Sequence, residues 1–460
     1  MSRLNDKHKE LLDAIMHSDS SRAVTGKLAK LPVAELAGML RMLGVAKLVE
    51  VLPSLPEEKQ GMVLSHFDMT ERLALFRQVS RKWFAAIFEK MPSDSRADTY
   101  QHFDTHERLS LLPYLGKSIR EDVLRLSAYP HDTAGGIMST DFAVISDNQS
   151  CSDAIREIRE EAPRDKMLYH LYVVDDEMKL KGYITLKELV IADPNELVSS
   201  IMQQEYASAR LDEDRESVAE KIERHDLVAL PVMNAQGQLA GIVHQDDAMD
   251  VIRAEQTEDM EKFMGIVPGS EILDYNQTTV AGHFRKRVIW LAILTVVGFV
   301  SGMIIQRYEN ALSALMILAL YIPMIADTGG NSGSQAATVV IRAMALGQLG
   351  VTHWLKILYK EARISLMLAA VLGFIAFVMI MILSWESDVA LDHSLGFIAA
   401  GISSALALQV IASTMIGAGL PLLVKRFGGD PAIAASPAIT TVVDITGLLI
   451  YFGVATMLFF

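Results

Sequence analysis

The chain has 460 residues, 51% of them hydrophobic, with 42 Lys/Arg against 56 Asp/Glu and a formal net charge of −14. That length exceeds what one hydrophobic core supports, so several domains are expected. Ten of the basic and eight of the acidic residues lie beyond residue 280, leaving 32 and 48 before it, a net of −16 on the first part. Such a field disfavours nucleic acid and anionic lipid and favours cations, with plain solubility as the alternative reading.

The amino terminus, MSRLNDKHKELLDAI, is charged from the start and carries no signal-peptide apolar core. The one cysteine, Cys151, excludes an intrachain disulfide and suits a reducing compartment. Up to about Ser127 the leucines recur at three- and four-residue spacing, and Pro56 and Pro92 sit where a first helical turn would begin. This predicts an all-α helical-repeat domain over residues 1–128, a partner or regulatory surface with no catalytic motif.

An internal repeat comes next. LYVVDDEMKLKGYITLKEL from Leu171 matches LPVMNAQGQLAGIVHQDDA from Leu230 at an offset of 59, which aligns Gly182 with Gly241 and Glu188 with Asp247. Each copy reads as strand, turn, strand and helix, preceded by IMSTDF from Ile137 and IMQQEY from Ile201. Two βαββα units of this size resemble a tandem pair of CBS modules, here residues 129–200 and 201–250, an α/β ligand-sensing pair. Many such pairs bind adenine nucleotides through a Ser/Thr-x-x-Asp step after the last strand. Here the steps are Thr185-Leu-Lys-Glu188 and His244-Gln-Asp-Asp247, neither a clean match, which weighs against ATP.

An acid-rich connecting helix is expected over residues 251–283. Asp246, Asp247, Asp250, Glu255, Glu258, Asp259 and Glu261 are opposed only by Arg253 and Lys262. Like charges roughly 5 Å apart repel by ~3 kcal/mol at an effective dielectric near 20, so crowding is costly unless cations fill the gaps. A solvated helix face is the plain reading. The position between a sensor pair and a membrane domain favours a cation-sensing gate.

Residues 284–460 read as a membrane domain with five apolar spans, roughly Val288–Gln306, Leu312–Ala326 continuing past a glycine break, Ile364–Leu383, Leu395–Val424 and Ala438–Phe460. Arg285, Lys286 and Arg287 precede the first span, Lys356, Lys360 and Arg363 the third, and Lys425 and Arg426 follow the fourth. The positive-inside bias then places the amino-terminal part in the cytoplasm and the carboxy terminus outside. Asp444 lies inside the last apolar run, and Ser436, Thr440 and Asp444 form one polar stripe at four-residue spacing. The stretch PMIADTGGNSGSQ, Pro323 to Gln335, is expected to interrupt the second span, irregular backbone being tolerated where it lines a wet cavity. Together these read as a permeation path; a protonated acid or a helix-to-helix hydrogen bond is the competing reading of Asp444. Asp327 either lines the path or makes a turn hydrogen bond. Asp430 either caps a helix start or takes part in binding. Glu361 and Arg363 anchor the third span at the interface, or Glu361 sits at the inner mouth. Arg342 faces the cytoplasm. The histidines have no zinc spacing.

YPHDTAGGIM from Tyr129, the CBS pair, PMIADTGGNSGSQAATVVIRA and DPAIAASPAITTVVDITGLLIYF together resemble the MgtE family of magnesium channels over the whole chain. The resemblance implies a homodimer in the bacterial plasma (inner) membrane that is not an enzyme, admits Mg²⁺ passively and closes when cytosolic Mg²⁺ binds acidic faces of the soluble part. By position it implies Asp444 as pore carboxylate, with Gly330, Asn331 and Thr440 along the pore. As regulatory acids it implies Asp94, Asp98, Asp226, Asp247, Asp250, Glu255, Glu258 and Asp259. Ser95 in PSDSRAD stands where the family often has an acid, so fewer amino-terminal cation sites are expected, and His131 also replaces a common acid. Two other readings remain open: ion-coupled transport of Mg²⁺, Co²⁺ or Mn²⁺, and a membrane-anchored nucleotide sensor.

Overall fold

The computed structural model describes residues 26–161, 170–267, 275, 278–349, 354–386, 393–434 and 436–460. The charged amino-terminal stretch and most of the loop WESDVALDH lie outside the described residues. The chain forms two units, Met1–Arg253 and Ala254–Phe460.

Among the described residues, the first unit runs from Val33 through eight short helices: α1 (Val33–Leu40), α2 (Gly44–Val51), α3 (Glu57–Ser65), α4 (Met69–Gln78), α5 (Arg81–Phe88), α6 (Ser93–His102), α7 (Thr105–Leu111) and α8 (Lys117–Leu126). The odd-numbered helices stack on one another in order, and so do the even-numbered ones. The result is the layered helical-repeat array that the leucine spacing predicts. Its core is leucine-rich around a phenylalanine cluster, with the Phe76 and Phe84 rings edge to face at 4.9 Å. Pro56 and Pro92 do start helices, but as the residues just before α3 and α6, with φ of −55° and −54° and extended ψ. An extended proline turns the chain into a helix without needing an N–H of its own.

Next come α9 (Ala134–Ile137), β1 (Val144–Ser146), α10 (Cys151–Glu161), β2 (His170–Val174), β3 (Leu180–Thr185), α11 (Leu186–Ile191) and α12 (Val198–Ile201). The second copy contributes β4 (Ala209–Arg210), α13 (Arg215–Arg224), β5 (Ala229–Met233) and β6 (Leu239–His244). Each module holds a three-stranded sheet with a parallel first pair and an antiparallel second pair. The 59-residue repeat is kept in the register: Val173 pairs with Gly182 and Val232 with Gly241, each followed by the same irregularity. The two IM segments are exchanged. Ser139 of the first bridges Ile242 on β6, and Gln203 of the second bridges Tyr183 on β3. The glycines allow this, since a Cβ on Gly182 would strike the Gln203 carbonyl and one on Gly241 would lie 2.6 Å from Met138 Sδ.

The acidic helix α14 (Gln245–Phe263) starts directly after β6, earlier than the sequence suggests, and its first half belongs to the first unit. The second unit continues with α15 (Val280–Arg307), α16 (Glu309–Ala314), α17 (Ile317–Ala345), α18 (Trp354–Leu383), α19 (Leu395–Arg426) and α20 (Ser436–Phe459). Among the described residues four helices, α15, α18, α19 and α20, are long and apolar enough to cross a membrane. The fifth long helix, α17, has 29 residues but carries the polar stretch. Here the structure corrects the sequence reading: α17 runs unbroken through Pro323 and Gly329–Gly333. The glycines serve close packing instead. The central helix α19 packs against α17, α18 and α20, and a Cβ on Gly417 would collide with the Gly333 carbonyl. Small residues that let backbones approach are the usual device for joining helices in lipid.

Candidate functional site

The polar stripe of α20 meets the glycine face of α17. Ser436 Oγ donates to Ser334 Oγ at 3.0 Å, and Thr440 Oγ1 lies 3.4 Å from Ser334 Oγ. A Cβ on Gly330 would lie 3.0 Å from Thr440 Cγ2, so Gly330 and Thr440 are direct neighbours. Asp444, eight residues into the helix from Ser436 and therefore ~12 Å along it, is half-buried. Asp327 of α17 is its electrostatic neighbour. Asn331 Nδ2 donates to Asp327 Oδ2 at 3.3 Å, and both residues are exposed on the single chain. The hydrogen bond expected for Asp327 therefore exists, but it is helical, one turn apart. Behind this face Gln409 Nε2 donates to the Val443 carbonyl at 2.9 Å, holding α20 on α19 just before Asp444. Gln409 is fully buried, and its Oε1 has no partner among the described residues. The sequence reading missed Gln409; a glutamine inside an apolar run was the available signal. Glu361 is buried on α18, and Arg363 lies over the Tyr359 ring at 6.0 Å.

The acids named for regulation fall into two groups. In the first unit, Asp94 and Asp98 project from α6, and Asp247 and Asp250 from the first half of α14. Burial, then the nearby charges of Asp94, Asp246 and Asp250, push the Asp247 carboxyl up to about 8. Burial also pushes Asp94 up, against the pull of Arg72, with Asp98 adding to the rise. Arg72 is itself buried, donating to the Phe67 carbonyl at 2.8 Å and to Thr99 Oγ1 at 3.1 Å, and it faces Asp98, Asp94 and Asp68. Ser95 Oγ donates to Asp94 at 3.3 Å. Burial and Arg72 lower His66, which also feels Asp246 and Asp250. The sequence reading named neither Arg72 nor His66.

In the second unit, Lys262 Nζ lies 2.9 Å from Glu258 and 2.8 Å from Asp430. Burial opposes the charge on Lys262, yet the hydrogen bonds to Asp430 and Glu258 raise it above the usual lysine value. Asp259 is pushed up by burial, then by Asp430, with Glu255 and Glu258 adding smaller repulsions. Asp430 is a cap: its Oδ1 accepts from the Ala432 N–H at 2.9 Å, while Oδ2 takes the lysine. Asp226 joins neither group; it lies exposed in a turn with φ of 51°. Among the described residues no three His, Cys, Asp or Glu side chains converge as a ready-made metal cage.

A cavity of about 560 Å³ opens on the CBS pair, lined by His170, Tyr172, Tyr183, Tyr206, His225 and Pro231 among others. Tyr172 Oη is buried there without a partner among the described residues. The Thr185 step is occupied elsewhere, since Thr185 and Glu188 cap α11 reciprocally, at 2.8 and 3.2 Å.

A stacked helical domain, a CBS pair and a helical membrane unit with an acid in its last helix define a membrane transport protein with a large CBS-containing part outside the membrane. Family models agree along the chain: the MgtE intracellular N domain over residues 31–132, the CBS domain over 134–195 and 198–254, and MgtE, described as a divalent cation transporter, over 322–454. The magnesium transporter MgtE of Thermus thermophilus is 37% identical over 74% of this chain and 73% of its own length. That of Bacillus subtilis is 34% identical over 72% and 70%. A crystal structure of the cytosolic domain of the Mg²⁺ channel MgtE in complex with ATP matches 53% of this chain and 99% of its own, at 30% identity and a TM-score of 0.50. The chain belongs to the MgtE family of divalent cation transporters, whose members are transport proteins and not enzymes.

Proposed function

We propose that two copies of this chain form a Mg²⁺-selective channel in the bacterial plasma membrane, with five spans including α17, cytosolic amino-terminal domains and the carboxy terminus outside. The observation that carries this is the placement of Asp327 and Asn331, exposed on a membrane-unit helix beside Asp444. A carboxylate on such a helix has no place against lipid and belongs on a wet path. A second copy presenting its own Asp444 covers that face and offers paired charges to one ion. Mg²⁺ sheds water reluctantly and prefers a few carboxylates acting through its hydration shell.

Cytosolic Mg²⁺ closes the path by neutralising the acids around Asp247 and around Asp259. Their carboxyls are held above the usual range, so each group gains when a divalent ion replaces mutual repulsion. Acids spread over a face instead of forming a cage suit a hydrated ion. ATP is a second regulator, held in the CBS cavity by the Tyr172, Tyr183 and Tyr206 walls; the unpartnered Tyr172 hydroxyl supplies a donor.

The test is Mg²⁺ influx into liposomes with no other ion gradient, comparing the wild type with Asp444→Ala. Influx lost in the variant supports the channel. Influx that needs a proton or sodium gradient rejects it in favour of coupled transport, and equal flux from both proteins moves the ion site elsewhere.

A further inference from the structure

We propose that the start of α15 binds the phosphate of an anionic phospholipid headgroup, in a cavity between the end of the acidic helix and the first membrane helix. The cavity, of about 170 Å³, is lined by Ile266, Tyr275, His283, Lys286 and Arg287. It falls below the roughly 300 Å³ at which sites for drug-sized ligands begin, so it takes a headgroup and not a nucleotide.

Its walls are fixed by the chain itself. After α14 the backbone turns at Gly265, with φ of 69°, and a Cβ there would run into the Trp290 indole. The turn is tied down at both ends: Ile266 N–H donates to the Glu261 carbonyl at 2.8 Å, and Val267 N–H donates to the Lys286 carbonyl at 3.0 Å. Two buried nitrogens, His283 Nε2 and Trp290 Nε1, lie at this junction without a partner among the described residues. Among the described residues no carboxylate lines the cavity. Arg285, Lys286 and Arg287 make no ion pair with a described acid. Two cationic side chains and the His283 imidazole lining one small cavity call for a compact anion.

The rest of α15 points to a lipid as the occupant. From Ile289 onward the helix exposes Ile289, Leu291, Ile293 and Val296, a surface for acyl chains, and its apolar part is wholly unburied in the single chain. A tryptophan and basic residues at a helix start are the usual membrane-interface anchors. The −16 charge of the first 280 residues repels anionic headgroups generally, so a lipid is retained where basic residues are built into a cavity. Bound there, it would clamp the turn after α14 onto α15.

The test is native mass spectrometry of the full-length protein incubated with phosphatidylglycerol or phosphatidylcholine. The wild type is expected to retain phosphatidylglycerol preferentially. The double variant Lys286→Gln/Arg287→Gln should lose that preference at least tenfold, and the charge-keeping Lys286→Arg/Arg287→Lys should retain it, which separates charge from folding. Lys356→Gln/Lys360→Gln, a basic pair on α18, should leave it unchanged. Equal loss in both Gln pairs would mean diffuse surface charge and overturn the site. No preference in the wild type, or displacement of phosphatidylglycerol by millimolar inorganic phosphate, would overturn the lipid assignment.

Discussion

Lys262 Nζ lies 2.8 Å from Asp430 Oδ2, joining two residues 168 positions apart in the sequence. The lysine closes the acidic helix and the aspartate begins the turn before the last membrane helix. An ammonium thus already occupies the centre of the acidic group that we assign to Mg²⁺ sensing. A divalent ion binding Glu258, Asp259 and Asp430 competes with it. Lys262→Gln should therefore let cytosolic Mg²⁺ inhibit at a concentration about fivefold lower, the scale of one partly exposed charge pair. The Mg²⁺ dependence of influx measures it; a midpoint that is unmoved or higher would contradict the competition.

The raised carboxyl of Asp247 makes stability depend on pH. Its folded value of about 8 lies above the ordinary aspartate value of 3.8, so between those pH values the folded protein holds a proton that the unfolded chain has released. Stability should accordingly fall as pH rises from 4 towards 8 in EDTA. Mg²⁺ should reverse the fall. Asp247→Asn removes this dependence and should raise the Tm at pH 8 without Mg²⁺ by about 2–4 °C, the shift expected for ~1 kcal/mol in a unit of this size. A thermal unfolding series over pH, with and without Mg²⁺, checks the sign.

The α17–α19 contact predicts a contrast between glycines. Gly417→Ala drives a methyl into the Gly333 carbonyl, whereas Gly298, on α15, has nothing within 4 Å of an added Cβ. Overpacking of this kind costs ~1–3 kcal/mol. Gly417→Ala should lower the unfolding temperature in detergent and Gly298→Ala should not. Equal behaviour would mean that the two helices are not this close.

In the CBS pair, Thr185→Ala removes a helix cap worth ~1 kcal/mol but should leave ATP affinity unchanged. Tyr206→Ala removes a wall of the cavity and should weaken ATP at least tenfold by calorimetry. Loss of ATP binding with Thr185→Ala would restore the step after the strand as the nucleotide site.

Periodic features were legible in the sequence. The 59-residue repeat gave two matching sheets down to the pairing of Gly182 and Gly241, and leucine spacing gave the stacked helices. A shorter repeat is also written there, although leucine spacing alone does not single it out: HFDMTERLAL from His66 recurs as HFDTHERLSL from His102. It appears in the structure as twin capping boxes, Asp68 with Glu71 and Asp104 with Glu107, and as twin arginines, Arg72 and Arg108, bound to the Phe67 and Phe103 carbonyls. The glycine-rich stretch was misread, because local propensity treats glycine as a helix breaker while close helix packing selects it. Gln409 was signalled only by its polarity inside an apolar run, while the meeting of Arg72 and His66 with the acids of α6 and α14 arises only when distant elements come together, which no spacing along the chain records.

The exchange of IM segments between the CBS modules bears on how this protein can be cut and recombined. Because Ser139 completes the strand edge at Ile242 and Gln203 completes the one at Tyr183, a splice near residue 200 would leave two unfinished sheets. Neither half could be transplanted alone, and a chimaera with a relative must take the pair whole, from the first IM segment to the end of β6. Under the gating we propose, a signal entering at either module would reach the acidic helix through a shared scaffold, since the strand that launches that helix is edged by a segment lying more than a hundred residues upstream.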